Sequence, residues 1–316
     1  MDIRSTINDR LPSLAWQATL AITILALVAF TIVGLRVRVD VSPNMVVMIS
    51  GYVFLTVYYR FVRQSPEIAC MLISFGQLIV VTLMGIMLSY AASAVPLPYR
   101  DVELHAIDRW LGFEREAYIA FLQRNDDLRR ILSFAYGTLM HQTVLVLVVA
   151  AVARNMSRLQ TYVVAFAIAV ASTAAIASFV PAANAMIHVD KVLTDLPISP
   201  DGVYNYFPTL EGLRGGTLRT INLGDLEGLI SFPSFHTANA ILFIWVLWPM
   251  RFLRAALVPL NLLLVASTPL CGAHYVVDIL GGAAVAFGAI AATTWLMRRT
   301  EASRRSTAMG DFGAAT

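Results

Sequence analysis

Apolar residues in this chain fall into long blocks, with neither the alternation of a strand nor the one-sided stripe of a helix in water. A helix that crosses a bilayer needs about 20 mostly apolar residues. Eight segments approach or exceed that length: 11–35, 44–61, 67–95, 131–153, 159–187, 234–250, 254–270 and 274–297. The second, sixth and seventh are short. Lipid leaves no water to satisfy backbone groups, so such blocks must be helices. The predicted fold is all-α, a polytopic membrane bundle of about eight transmembrane helices.

Two connections between the blocks are long. Residues 96–130 open on Pro96 and Pro98 and then turn charged. Between Val102 and Leu122, apolar residues recur at helical spacing, among them Leu104, Ile107, Trp110, Leu111, Tyr118 and Phe121. That pattern predicts a helix lying in the membrane interface. Residues 188–233 carry Pro197, Pro200, Pro208, several glycines and several acids, the composition of an ordered loop. A long loop of that kind is often functional.

Composition agrees with the pattern. Hydrophobic residues make up 58% of the 316 and charged residues 14%, with a mean hydropathy of +0.70. A soluble domain carries about a quarter charged residues, so lipid is the solvent for much of this surface. The net charge of +3 adds little, and Lys191 is the single lysine. No basic stripe interleaved with aromatics is present, which excludes a nucleic-acid partner. Cys70 and Cys271 fall within or at the end of predicted spans and form neither a disulfide framework nor a thiolate metal site. The first apolar run is too long for a signal sequence and reads as an uncleaved span.

Arginines set the expected topology. With the N-terminus inside, the short inner loops hold Arg60 and Arg63, Arg154 and Arg158, then Arg251 and Arg254. The tail adds Arg298, Arg299, Arg304 and Arg305. Short-loop basic bias marks the cytoplasmic side. Both long loops then lie outside, and His236 and His274, from different spans, reach the same outer boundary. The expected location is a bacterial-type inner membrane, with both termini cytoplasmic and the site on the outer face.

Two short motifs carry chemistry. In Phe232-Pro233-Ser234-Phe235-His236-Thr237, a proline is pre-set for the first turn of a helix. The free N–H groups of that turn, with the helix dipole, favour a phosphate. Ser234 can add a hydroxyl, and a protonated His236 can hand a proton to a leaving oxygen. In Cys271-Gly272-Ala273-His274-Tyr275-Val276-Val277-Asp278, His274 and Asp278 share one helix face. A carboxylate bonded to one ring nitrogen fixes the tautomer and leaves the other as a nucleophile. An acid one turn into a span is costly unless paired, and its expected partner is His274. Gly281 and Gly282 let another helix approach closely. Taken singly, each piece is commonly an interfacial histidine, a satisfied polar pair or an ordinary helix cap; their shared boundary makes a site of them.

These two motifs resemble the second and third signatures of the type 2 phosphatidic acid phosphatase superfamily. Ile107-Asp108-Arg109-Trp110-Leu111-Gly112-Phe113 is similar to the branch related to inositol phosphorylceramide synthases. The resemblance covers a six-span core over 67–297, leaving 1–66 as two additional N-terminal spans and 298–316 as a basic cytoplasmic tail. It implies His274 as the nucleophile that forms a phosphohistidine, Asp278 as its orienter, His236 as the leaving-group acid and Ser234 in the phosphate cradle. The implied substrate is a lipid phosphate, with no cofactor. Hydrolysis is expected, with head-group transfer to a lipid such as ceramide as the alternative.

Three departures stand out. Phe235 stands where the second motif has glycine, Thr268 stands where the third has arginine, and the first motif is missing. The candidate phosphate clamps are then Arg214, Arg219 and Lys191, with Arg100 more distant, although loop cations are as often only solvated. No role falls to His105, His141 or His188. Two other classes compete: a transporter, which eight spans permit, and a zinc site built from His236, His274 and Asp278. Against the first, mid-span ionisable residues are nearly absent and no paired broken helices appear.

Overall fold

The computed structural model describes residues 3–188 and 206–313. Twelve α-helices account for most of it: α1 (Ile3–Val33), α2 (Pro43–Val57), α3 (Pro66–Ser93), α4 (Asp101–Trp110), α5 (Arg115–Gln123), α6 (Asp126–Gly137), α7 (Leu139–Val152), α8 (Met156–Phe179), α9 (Phe207–Arg214), α10 (Phe235–Leu247), α11 (Arg251–Cys271) and α12 (Val276–Gly313). The one sheet among the described residues pairs β1 (Arg36–Arg38) in parallel with β2 (Thr220–Asn222).

The protein is an all-α membrane bundle. Among the described residues, six helices are long and apolar enough to cross a membrane: α1, α2 with its following turn, α3, α8, α11 and α12. The pair α6 and α7 passes the same test jointly but bends by 51°. Helix α10 is apolar but has only 13 residues, about 20 Å at 1.5 Å per residue. Each of the eight predicted apolar blocks therefore contains a helix.

Three boundaries differ from the sequence expectation, each for a local reason. The fifth block was expected to run to Ile187, but α8 stops at Phe179. Pro181 follows two residues later, and the residue before a proline avoids helical backbone. The expected interfacial helix is two helices, broken at Gly112, whose φ of +79° is open to glycine. The fourth span is divided at Thr138, between α6 and α7.

The core sits where α3, α8, α10 and α12 pack, with α1 against α3 and α8. Alanines recur through its buried part, including Ala165, Ala167, Ala238, Ala286 and Ala289. In lipid, helices associate through close packing because no hydrophobic drive separates them from their solvent. The tightest approach is at Gly282 on α12, where an added Cβ would lie 2.2 Å from the Ser234 carbonyl oxygen. At Gly281 it would meet the Phe232 and Pro233 side chains at 3.0 Å. The two glycines thus let the start of α10 rest directly on α12. By contrast, α2 has no buried residue.

The interfacial helices are amphipathic in a useful sense. On α4, Val102 and Trp110 face outward, Trp110 at 83% exposure, while Asp101, Leu104 and Asp108 turn inward and are buried. Acidic side chains of α4 thus point into the bundle.

Gly282→Ala is expected to force α10 from α12 and cost about 1–3 kcal/mol, the usual range for overpacking. Thermal unfolding in detergent should show a lowered midpoint; an unchanged midpoint would contradict the close contact.

Candidate active site

The site forms where the start of α10, the turn between α11 and α12, and the buried face of α4 meet. Ser234 is the N-cap of α10, its Oγ accepting from the Thr237 N–H at 3.4 Å. Among the described residues, the N–H groups of Phe235 and His236 meet no protein acceptor. They leave the first turn of α10 open to an anion.

The turn before α12 is built tightly. The Thr268 carbonyl accepts from both the Gly272 N–H at 3.0 Å and the His274 N–H at 3.2 Å. Ala273 adopts φ of +50°, a left-handed conformation that costs about 1–2 kcal/mol for a residue with a Cβ. Its carbonyl is held by the Ala185 N–H at 2.9 Å. The turn aims His274 inward, where it is almost wholly buried.

Asp278 lies at the centre. Its Oδ2 accepts from three groups: the Ser231 hydroxyl at 2.9 Å, the Tyr275 N–H at 2.9 Å and His274 Nδ1 at 3.1 Å. The Asp278 carbonyl also accepts from the Ser234 N–H at 3.0 Å. The carboxylate is fully buried and draws both motifs together. With Nδ1 of His274 turned to it, the ring's Nε2 is the nitrogen left for chemistry.

His236 faces His274 with ring centroids 5.9 Å apart and planes at 63°. On its other side it stacks on Tyr136 at 4.5 Å and 19°. The Tyr136 hydroxyl stands near Gly272, where an added Cβ would lie 3.1 Å from it. Tyr136 thus walls the space between the two motifs.

A second layer comes from α4 and α5. Asp108 receives the first two N–H groups of α12, Val276 onto Oδ2 and Val277 onto Oδ1, both at 2.9 Å. Arg115, 2% exposed, donates to the Pro269 carbonyl at 3.0 Å and the His274 carbonyl at 2.8 Å. It lies 3.5 Å from Asp108 and between the rings of Phe113 and Tyr275. Burial pushes the guanidinium pKa down, and the Asp108 charge opposes that shift. One turn pair earlier, Asp101 accepts from the Tyr275 hydroxyl and the Ala183 N–H, both at 2.8 Å.

The structure brings His236, His274, Asp278 and Ser234 together, as the two motifs predict. It gives the expected clamps other partners. Arg214 donates to the Val95 carbonyl at 3.3 Å and to the Leu97 carbonyl, and stacks over Tyr99. It also lines a crevice that reaches Ser231 and Phe232. Arg219 donates to the Val33 carbonyl at 3.0 Å, a cation at the C-terminal end of α1 where the helix dipole favours it. Lys191 lies outside the described residues, as does the side chain of His188. Arg100 pairs with Glu103 at 2.9 Å on the surface.

The two substituted motif positions have clear places. Phe235 turns away from the histidines and packs edge-on against Phe166 at 5.5 Å in the core. Thr268 bonds back to the Val265 carbonyl at 2.8 Å. Among the described residues, no three His, Cys, Asp or Glu side chains converge as a metal ion would require.

Sequence reasoning missed Asp108 as a helix cap, Arg115, Ser231 and Tyr136. The first three act on backbone or on Asp278 across 47 to 169 residues, and no local spacing encodes such contacts. A visible signal was the pair of acids in the interfacial segment, Asp101 and Asp108, two turns apart on one face.

The fold and site define a helical membrane protein whose histidines and carboxylate converge at one end of the bundle. A family model described as the PAP2 superfamily matches residues 102–292, more than half of the chain, and the chain belongs to that superfamily. Membership points to phosphatase or phosphotransferase chemistry on a lipid-like phosphoester. No curated protein and no solved structure matches. The match starts within α4, so α1 to α3 lie outside it.

Ser231→Ala removes one of three donors from a buried carboxylate and should cost about 1.5–3 kcal/mol, the range for bonds to charged groups. A detergent-solubilised variant with an unaltered unfolding midpoint would show that the bond contributes nothing.

Proposed function

We propose that this protein cleaves a lipid phosphoester through a covalent phosphohistidine on His274. The observation that carries the reading is the 3.1 Å bond from His274 Nδ1 to Asp278 Oδ2, with the His236 ring 5.9 Å from His274. The Nε2 lone pair of His274 attacks phosphorus. As the P–N bond forms, the P–O bond to the lipid alcohol breaks, and a protonated His236 gives its proton to the departing oxygen. Asp278 stabilises the positive charge that develops on the His274 ring.

In the second half, His236, now neutral, takes a proton from water as the water oxygen attacks phosphorus. The P–N bond breaks, its electron pair returns to Nε2, and phosphate leaves. The phosphoryl oxygens rest against the Phe235 and His236 N–H groups and Ser234 at the start of α10. Phosphoryl transfer relies mainly on such positioning and charge stabilisation. Arg214 lines the crevice beside Ser231 and Phe232, and Arg219 and Lys191 remain candidates from the loop. By the arginine distribution, the site faces the outer side of the membrane, and α3 onward forms the catalytic unit.

An alcohol in place of water gives transfer. The resemblance of 107–113 to the inositol phosphorylceramide synthase branch favours that second reading, in which a phosphorylated head group passes to a ceramide-like acceptor.

Purified protein given a labelled lipid phosphate should release phosphate, and His274→Ala should lower the rate by about 10⁴-fold or more. Full activity in that variant would overturn the nucleophile. His236→Ala should lose about 10²–10⁴-fold yet recover on a substrate with an acidic leaving group. No such recovery would remove its acid role. Label appearing on an added ceramide or polyol, in place of free phosphate, would mark a transferase.

A further inference from the structure

The turn that carries His274 is gripped through its backbone from both sides by two residues of the interfacial helices. We propose that Asp108 and Arg115 are positioning residues that set the nucleophile, an inference that rests on the phosphohistidine reading above. Arg115 holds the His274 carbonyl at 2.8 Å and the Pro269 carbonyl at 3.0 Å. These two carbonyls bracket the left-handed Ala273. Asp108 holds the Val276 and Val277 N–H groups, one on each oxygen, at 2.9 Å. His274 therefore sits between a fixed carbonyl and a fixed helix start, and its ring has one direction left.

Stability alone is a poor account of the pair. Asp108 and Arg115 are 3.5 Å apart and both buried. Breaking contact with water costs such pairs about as much as their attraction returns. What the pair supplies is geometry: Arg115 offers a planar fork that spans two carbonyls, which an ammonium does not reproduce.

Asp108 has a second consequence. Two helix starts converge on the site, α10 and α12, and each would attract an anion. The Asp108 carboxylate occupies the first N–H groups of α12, whereas those of Phe235 and His236 on α10 are open. A substrate phosphate is thereby directed to α10, on the His236 side, across from His274. The clamp therefore fixes both the attacking ring and the side from which phosphorus is approached.

The test compares the wild type with Arg115→Ala, Arg115→Lys, Asp108→Asn and His274→Ala on a labelled lipid phosphate. Rates are expressed per active site, counted by acid-labile label trapped on the protein, so that loss of folded enzyme does not register as loss of rate. A 1 Å misplacement of reacting groups costs about 10²-fold. Arg115→Ala and Asp108→Asn should therefore lower kcat per site by about 10²-fold with KM changed less than about threefold. Arg115→Lys should stay low, and added guanidinium should raise the Arg115→Ala rate by about tenfold. Rates per site within twofold of wild type in both Arg115→Lys and Asp108→Asn would overturn the proposal even if Arg115→Ala fails to fold. A wild type without His274-dependent turnover would instead overturn the phosphohistidine reading, and this inference with it.

Discussion

One oxygen atom organises this molecule. Asp278 Oδ2 accepts from Ser231, Tyr275 and His274, and so ties the loop before α10 to the turn before α12. A carboxylate buried one turn into a membrane helix is expensive unless its charge is spread over donors. Each donor here belongs to a segment whose position matters for the site. Without the carboxylate, the His274 ring and the Ser231 hydroxyl lose the acceptor they share. Gly281 and Gly282 make the arrangement possible, because any side chain there would strike the start of α10.

The interfacial helices explain how a membrane bundle keeps a polar centre ordered. Their outward residues, such as Val102 and Trp110, suit the lipid boundary, while Asp101, Asp108 and Arg115 reach inward to backbone groups. The site thus lies at the junction of the long apolar helices and these short ones. Departures from the family signatures are absorbed locally. Phe235 adds to the core instead of filling the site, and Thr268 uses its carbonyl, not its side chain, to shape the His274 turn.

Much of the fold was legible because lipid imposes length. Eight apolar blocks of near-span size become helices, and the errors fall where a local rule overrides the block: Pro181 ending α8, Gly112 dividing the interfacial helix and the bend at Thr138. The pair His274 and Asp278 was legible because i and i+4 share a helix face. His236 joined them because the arginine pattern predicts that both motifs start spans at one boundary. What stayed hidden were contacts made through backbone at long range. Nothing near Arg115 in the sequence announces that its guanidinium will hold a carbonyl 159 residues away. Arg214 and Arg219 looked like clamps by charge and loop position, yet their donors serve backbone carbonyls at the ends of α3 and α1. Charge alone does not say which acceptor a side chain will find.

The mechanism turns on which nitrogen of which histidine bears phosphorus. Acid-labile label trapped during turnover can be located by proteolysis and mass spectrometry, and the isomer assigned by phosphorus NMR. Phosphate on Nε2 of His274, absent from the Asp278→Asn protein, is the expected result, since Nδ1 is committed to the carboxylate. Phosphate on Nδ1, on His236 or on no residue of a protein that still turns over would contradict it.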